Sequence, residues 1–194
     1  MNKPIFYKSF RSRRYLNKES LLASTIDFLN SDKKIILDIG FGTGESTIAL
    51  NSVYKDYLVI GLEAYKPGIK NLVNKNIQTH YGDALEFIEK LDNETVAKIY
   101  MLFPDPWQKK KHRKRRLFND YTFRIINRIL IKKGILHFAS DNINYAIQAK
   151  EIIQNMSEIR INFSKNRGNR PITRFESKAL AKNKFVFDII YAKT

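Results

Sequence analysis

The segment KIILDIGFGTG, residues 34–44, decides the fold that the sequence predicts. It opens with an apolar run of strand length and ends in three glycines at alternate positions, directly before a stretch with helical periodicity. Glycines at a strand-to-helix turn let the backbone turn sharply and approach a ligand closely. The segment therefore predicts the first strand–turn–helix unit of an α/β protein.

The rest of the chain repeats this alternation of short β-branched runs and longer helical stretches. Near-continuous apolar strands indicate burial on both faces, which is typical of a mostly parallel sheet covered by helices. We predict a Rossmann-like, doubly wound α/β fold, with a mostly parallel seven-stranded sheet and an antiparallel closing strand. The predicted strands are 34–39, 57–62, 77–80, 98–103, 134–139, 158–162 and 184–192. The predicted helices are 19–30, 43–53, 67–74, 84–91, 119–131 and 143–155.

Length and composition indicate one compact domain. The chain has 194 residues, of which 43% are hydrophobic, enough to bury a core without cross-links. It has no cysteine, and its three histidines are too scattered to indicate a zinc site, so we expect no metal. No apolar run approaches the ~20 residues of a membrane span. We expect a cytoplasmic protein with a single domain at 21–194, preceded by a basic, flexible arm at 1–20.

Charge predicts a nucleic-acid partner. The chain carries 35 Lys and Arg against 19 Asp and Glu, a net charge of +16 that attracts polyanions. A genome-wide bias towards lysine codons is an alternative explanation for the total net charge. The clustering of basic residues along the chain is therefore more informative than their number. The stretch QKKKHRKRR at 108–116 is almost entirely basic, whereas a solvated helix face normally intersperses acids. We expect this run to contact nucleic acid, with a solvated surface as the alternative.

The glycine segment favours one class of cofactor. A dinucleotide fingerprint needs glycines at 40, 42 and 45, but position 45 is Glu, whose carboxylate would repel a pyrophosphate. The spacing is instead acidic-x-G-x-G-x-G, with Asp38, Gly40, Gly42 and Gly44, a pattern found in S-adenosylmethionine sites. A plain tight turn remains the alternative.

Four acids follow the predicted strands in succession: Glu63, Asp83, Asp105 and Asp141. The carboxyl ends of parallel strands meet at one edge of the sheet, so these side chains should ring a single crevice. Glu63 is placed to accept both ribose hydroxyls, and Asp83 to accept from an adenine amino group. Taken singly, each acid is equally well explained by helix capping.

The segment FPDPWQKKKHRKRR, residues 103–116, places a carboxylate beside the basic run. Two prolines flank Asp105, stiffen the loop and should hold the residue before each proline in an extended conformation. Such a loop is suited to fixing a carboxylate over the cofactor. Methyltransferases of exocyclic amines also use a proline-rich motif here, so an amino-group methyltransferase stays open. Trp107 as core packing and Asp105 as a turn cap are the structural alternatives.

With these motifs, the chain resembles the tRNA (guanine-N7)-methyltransferase family, which modifies the variable-loop guanine at position 46. The resemblance covers residues 34–178 and rests on FPDPWQKKKHRKRR, DIGFGTGEST, GLEAYKPG, GDALE, FASDN and RPITRFE. It implies the class I methyltransferase fold, S-adenosylmethionine as methyl donor, tRNA as partner, and a monomer or homodimer. No protein partner is indicated. An RNA or DNA amino-group methyltransferase and a non-catalytic RNA-binding module are the competing functions.

The resemblance also implies roles for individual residues. Asp105 would be catalytic and would contact the donor. The other expected donor contacts are Asp38, Gly40, Gly42, Gly44, Glu63, Asp83 and Ala84, and the expected tRNA contacts are Lys109, Asp141, Thr173, Arg174, Phe175 and Glu176. The chain departs from the family where Arg174 replaces a commoner lysine, where Lys178-Ala179 replaces arginine-glycine, and where Asp38 replaces a frequent glutamate.

Overall fold

A computed structural model of the chain describes residues 32–157 and 167–194. These residues form one sheet with helices on both sides. The strands are β1 Lys34–Ile39, β2 Tyr57–Glu63, β3 Thr79–Tyr81, β4 Val96–Leu102, β5 Leu130–Ser140 and β6 Phe187–Ala192. The helices are α1 Glu45–Val53, α2 Lys66–Val73, α3 Ala84–Glu89, α4 Asp120–Ile129, α5 Ile143–Ser157 and α6 Arg174–Leu180, and a 3-10 helix spans Lys110–Arg115.

The strand order is β3-β2-β1-β4-β5-β6. All neighbouring strands are parallel except β6, which pairs antiparallel with β5. The order reverses between β1 and β4, and in open α/β sheets ligands bind outside the carboxyl ends of the strands at such a switch point. The predicted doubly wound, mostly parallel sheet is confirmed, and its switch point indicates where a ligand binds.

Apolar residues are buried on both faces of the sheet. The consecutive β1 residues Ile36 and Leu37 are both fully buried, and they belong to separate apolar clusters because alternate side chains point to opposite faces. Phe138 of β5 is equally buried and packs edge-to-face with Tyr145 of α5. Burial on both faces is what the near-continuous apolar strands predicted.

The described residues hold six strands rather than the predicted seven. The predicted strand 158–162, the predicted helix 19–30 and the basic arm 1–20 lie outside the described residues. The other predicted strands and helices are present; the strand 34–39 has the predicted bounds, and the other elements have one or both ends shifted. Within 32–157 and 167–194, no helix is long and apolar enough to cross a membrane.

Helix α6 was not predicted, because its segment lacks clear apolar periodicity. A local signal was nevertheless present: Thr173 and Glu176 have the T-x-x-E spacing of a capping box. Thr173 is the N-cap of α6, and its hydroxyl accepts a hydrogen bond from the backbone N–H of Glu176 at 3.1 Å. Capping chemistry, rather than an apolar stripe, therefore marks where this short helix begins.

Candidate active site

A pocket of about 280 Å³ lies at the carboxyl ends of β1, β2, β3 and β4. It occupies the switch point of the sheet, where the topology predicts a ligand. The structure brings seven of the predicted site residues to its lining: Gly40, Gly42, Glu63, Asp83, Ala84, Asp105 and Phe175. Phe103, Trp107 and Arg115, which were not among the predicted site residues, also line it.

The loop between β1 and α1 requires its glycines. Gly40, Gly42 and Gly44 all have positive φ, at 74°, 62° and 99°, which side chains rarely adopt. Gly40 and Gly42 line the pocket, whereas Gly44 is the N-cap of α1 and packs against Leu72. Behind the loop, a Cβ placed on Gly68 of α2 would come within 1.8 Å of the carbonyl oxygen of Gly42. The glycine loop is thus supported from behind by backbone in direct contact.

Glu63 ends β2 and holds the glycine loop as well as lining the pocket. One carboxylate oxygen accepts from the backbone N–H of Gly42 at 2.7 Å, and the other accepts from Ala64 at 2.7 Å and Tyr65 at 3.0 Å. Burial raises the pKa of Glu63; these N–H donors oppose the rise, and the charge of Asp105 adds to it. The carboxylate is oriented before any ligand binds.

Asp83 caps a helix and lines the pocket. Its Oδ1 accepts from the backbone N–H of Leu85 at 2.9 Å, as an N-cap residue should. Ala84 and Leu85 line the pocket beside it. The capping residue therefore also lines the pocket, and the cap fixes the direction of the carboxylate.

Asp38 is buried away from the pocket lining. It is 1% exposed, and its Oδ2 accepts from the hydroxyls of Ser46 at 2.6 Å and Thr47 at 2.7 Å. Burial raises its pKa from 3.8 to about 6, against the lowering effect of the two hydroxyl donors. Asp38 therefore ties β1 to the first turn of α1, and it reaches the pocket only through the glycine loop.

The loop that follows β4 carries Asp105 on an unusual backbone. Phe103 and Trp107 have φ of 55° and 41°, in the left-handed region that non-glycine residues seldom occupy. The prediction of an extended residue before each proline is wrong at Phe103, which precedes Pro104, because the packing around the loop overrides the local preference. Asp105 is exposed and lines the pocket. The loop presents this carboxylate at the rim.

The basic run divides into three environments. Lys109, Lys110 and Lys114 are exposed, as a phosphate-binding surface requires. Arg115 is half-buried, lines the pocket and lies 5.0 Å from the centroid of the Trp107 ring. Arg116, in contrast, is 2% exposed. The run is therefore not uniformly a surface patch, and its last residue lies inside the protein.

The segment 173–176 contributes one side chain to the pocket. Phe175 is 60% exposed and lines the pocket, and Arg174 is exposed beside it. Thr173 and Glu176 are buried at 8% and 4% exposure. Of the four residues expected to contact tRNA here, two face solvent and two shape α6.

Arg170, which was not predicted as a functional residue from the sequence, anchors this segment to the sheet. Its guanidinium donates to Glu176 Oε2 at 2.6 Å and Oε1 at 3.1 Å, and to Asp188 Oδ2 at 3.0 Å. Asp188 is also bonded to His137 at 2.7 Å, and the guanidinium lies 5.7 Å from the centroid of the Phe103 ring. The sequence did contain one indication of this network. Asp188 is a lone acid in an apolar strand, and a buried carboxylate there needs a partner.

Asp141 does not line the pocket with the other three acids. It follows β5, the strand beyond β4 in the sheet, and its Oδ2 accepts from Lys184 Nζ at 2.8 Å. Both side chains are partly exposed. Three of the four acids predicted to ring one crevice are therefore together, and the fourth forms an ion pair beside it.

Several solved structures with the same fold are methyltransferases. A SAM dependent methyltransferase from Archaeoglobus fulgidus superposes with a TM-score of 0.56 at 14% identity, covering 84% of this chain and 87% of that one. An antibiotic related methyltransferase gives a TM-score of 0.58 at 15% identity, covering 93% and 96%. The fold, with its acid-lined pocket at the switch point, is that of S-adenosylmethionine-dependent methyltransferases.

Sequence relatives narrow the class to one family. Residues 32–189 match the family described as putative methyltransferase. A tRNA (guanine-N(7)-)-methyltransferase of Buchnera aphidicola is 39% identical over 171 residues, covering 81% of this chain and 71% of that protein. One from Francisella tularensis subsp. novicida is 34% identical over 191 residues, covering 91% and 81%. The chain belongs to the tRNA (guanine-N(7)-)-methyltransferase family, which confirms the resemblance seen in the sequence.

Proposed function

We propose that the protein transfers the methyl group of S-adenosylmethionine to N7 of guanine 46 in the variable loop of tRNA. The observation that carries this proposal is the position of Asp105. It stands at the rim of a pocket that holds Glu63 and Asp83, and an exposed basic 3-10 helix begins five residues after it. A donor site and a phosphate-binding surface thus meet at one carboxylate.

The pocket suits the donor in shape and charge. Glu63 and Asp83 present carboxylate oxygens to hydroxyl and amino donors, the groups that the ribose and adenine of S-adenosylmethionine offer. Gly40 and Gly42 bring backbone close to the methionine portion, since no side chain intervenes. Three carboxylates in a protein of net charge +16 form a local negative field that favours a sulfonium cation. Asp38 and Gly44 serve this site by holding the loop.

The reaction itself needs little proton chemistry. N7 of guanine has an in-plane lone pair and bears no proton, so no general base is required. The enzyme has to align N7 with the sulfonium methyl, exclude water and stabilise the positive charge that develops on the purine. Asp105 does the last by accepting from N1–H or N2–H of guanine, which also orients the base. Phe175, exposed at the pocket, offers a ring face for an unstacked base.

The tRNA contacts fall into direct and supporting groups. Lys109 and Arg174 are exposed cations, close in sequence to the pocket residues Trp107 and Phe175, and are suited to phosphates. Asp141 is partly exposed, in its ion pair with Lys184. Thr173 and Glu176 act through α6, because their side chains are buried. We expect the enzyme to work on tRNA in the cytoplasm.

The direct test is to incubate the protein with labelled S-adenosylmethionine and bulk tRNA that lacks the modification, then digest the RNA and identify the labelled nucleoside. The expected product is N7-methylguanosine, confirmed by chain cleavage after borohydride and aniline. Label in a methylated exocyclic amine, which resists this cleavage, would identify an amino-group methyltransferase. RNA binding without any donor uptake would identify a non-catalytic RNA-binding module.

A further inference from the structure

We propose that Arg116 is a positioning residue that fixes the segment Asp105-Pro106-Trp107 for methyl transfer, and that it binds no phosphate. The inference rests on the function proposed for Asp105. Arg116 closes a run of basic residues, and from sequence it is indistinguishable from its neighbours. The structure separates it from them, because it is 2% exposed while Lys110 and Lys114 lie at the surface.

The contacts of Arg116 join the loop to α5. Its Nε donates to the carbonyl oxygen of Pro106 at 2.8 Å. Its Nη1 donates to the side-chain oxygen of Gln148 on α5, and the guanidinium lies 4.6 Å from the centroid of the Tyr145 ring on the same helix. Because Pro106 directly follows Asp105, the guanidinium bonds the peptide next to the proposed catalytic carboxylate.

The loop needs such an external contact. Phe103 and Trp107, at its two ends, both hold left-handed backbone conformations without being glycines. Conformations of this kind persist only where the surrounding structure over-determines them, and they concentrate at functional sites. Pro104 and Pro106 reduce the number of alternatives, but neither has an N–H with which to bind the rest of the protein. The bond from Arg116 to the Pro106 carbonyl supplies that tie.

The geometry calls for arginine rather than lysine. The planar guanidinium donates in two directions and stacks on an aromatic face at the same time, and it stays charged when buried. Lysine offers a compact ammonium that cannot stack and cannot keep both donor directions. Arg116→Lys therefore keeps the charge of the basic run and removes the positioning contacts, which separates the two possible roles of this residue.

Trp107 provides the readout, since it is the only tryptophan in the chain and adjoins the bonded peptide. Acrylamide quenching of its fluorescence in the absence of tRNA reports the order of the loop directly. We expect Arg116→Lys to raise the quenching constant at least about twofold and to lower kcat by about 10- to 100-fold, the scale of an ~1 Å misplacement. The Kd for tRNA and its salt dependence should stay within twofold.

Lys114→Met is the matched control from the exposed part of the run. It should leave quenching unchanged, while weakening tRNA binding and lowering the salt slope by about one. If Arg116→Lys changed binding and salt slope as Lys114→Met does, with normal quenching, Arg116 would be a phosphate contact and the proposal would be overturned. Failure of the wild type to methylate tRNA would instead reject the function proposed above, and the quenching result would still stand.

A milder variant keeps the test decisive if Arg116→Lys does not fold. Gln148→Ala leaves Arg116 in place and removes one of its acceptors on α5. It should raise quenching and lower kcat in the same direction by smaller factors, at an unchanged Kd for tRNA. Unchanged quenching and kcat in a folded Gln148→Ala protein would count against the proposal.

Discussion

The backbone N–H of Gly42 donates to the carboxylate of Glu63 at 2.7 Å, which joins the end of β2 to the glycine loop that follows β1. The same carboxylate accepts from the N–H groups of Ala64 and Tyr65. Glu63 therefore connects the glycine loop to the residues that follow β2. Its carboxylate, which we expect to contact the ribose, is already oriented by three backbone N–H donors.

Glu63→Gln should weaken binding of S-adenosylmethionine by at least about tenfold, which is roughly 1.4 kcal/mol. The substituted amide has one acceptor oxygen and one donor nitrogen, so it cannot receive all three backbone N–H groups. Isothermal titration calorimetry measures the effect. Glu86→Gln, on the exposed face of α3, is the control and should bind the donor normally. Normal affinity in the Glu63 variant would show that neither the loop nor the ribose depends on this carboxylate.

Asp105→Ala should lower kcat by about 100- to 1000-fold, the scale seen when one preorganised electrostatic contact to a transition state is lost. The Kd for tRNA should change little, because the exposed lysines that follow Asp105 remain. Single-turnover methylation and filter binding separate the two quantities. Asp56→Ala, an exposed acid in the turn before β2, serves as the matched control. Turnover near the wild-type level would remove Asp105 from the mechanism.

Asp38 should make the protein less stable as the pH rises from about 4 to about 6. Its folded pKa of about 6 lies above the ordinary 3.8, so in this window the folded state holds a proton that the unfolded state has lost. The resulting loss in the free energy of unfolding approaches about 3 kcal/mol, since each unit of pKa difference is worth about 1.36 kcal/mol. Urea unfolding across pH 4 to 7 should show that Asp38→Asn removes this component. If the free energies of unfolding of the wild type and Asp38→Asn changed in parallel with pH, the prediction would be wrong.

Arg170→Met should destabilise the fold by about 3–5 kcal/mol, because it leaves Glu176 and Asp188 buried without their cation. Lys184→Met breaks the partly exposed ion pair with Asp141 and should cost no more than about 1 kcal/mol. Thermal and urea denaturation of the two variants give the comparison. If both variants lost similarly little stability, the buried ion-pair network around Arg170 would contribute little to the stability of the fold.

Phe175→Ala should raise the KM for tRNA or lower kcat by about 5- to 100-fold, since base–aromatic stacking is worth roughly 1–3 kcal/mol per base. Stability should hardly change, because the ring is 60% exposed. Phe185→Ala removes a ring that is 74% exposed and does not line the pocket. Steady-state kinetics on tRNA would show equal behaviour of the two variants if Phe175 had no contact with the substrate.

The sheet and most of the pocket were predictable from sequence because their signals are local. The apolar strands around Leu37 and the glycines after them depend on burial and on backbone conformation, both of which a short segment reveals. The placement of Glu63, Asp83 and Asp105 followed from a rule of parallel sheets, that the carboxyl ends of strands meet. Asp141 follows its strand equally well, but the position of β5 in the sheet takes it past the pocket.

The roles of the arginines were not predictable, because they depend on contacts between distant parts of the chain. Arg116 shares its sequence context with exposed lysines, but its contacts with Pro106 and with α5 bury it. Arg170 meets acids that lie 6 and 18 positions further along. The left-handed backbone at Phe103 likewise opposes the local preference before a proline. Where tertiary contacts override local preference, a single sequence does not identify which residues make those contacts.

Gly68 of α2 supports the glycine loop that follows β1, because its backbone lies directly against the Gly42 carbonyl. A methyl group at this position would collide with the Gly42 carbonyl, and that oxygen cannot retreat without moving the N–H that Glu63 holds. The glycine loop that lines the donor pocket is therefore backed by direct contact between the backbones of Gly42 and Gly68. Substitution of Gly68, which lies outside the recognisable glycine motif and does not line the pocket, should consequently impair donor binding as severely as substitutions within the motif.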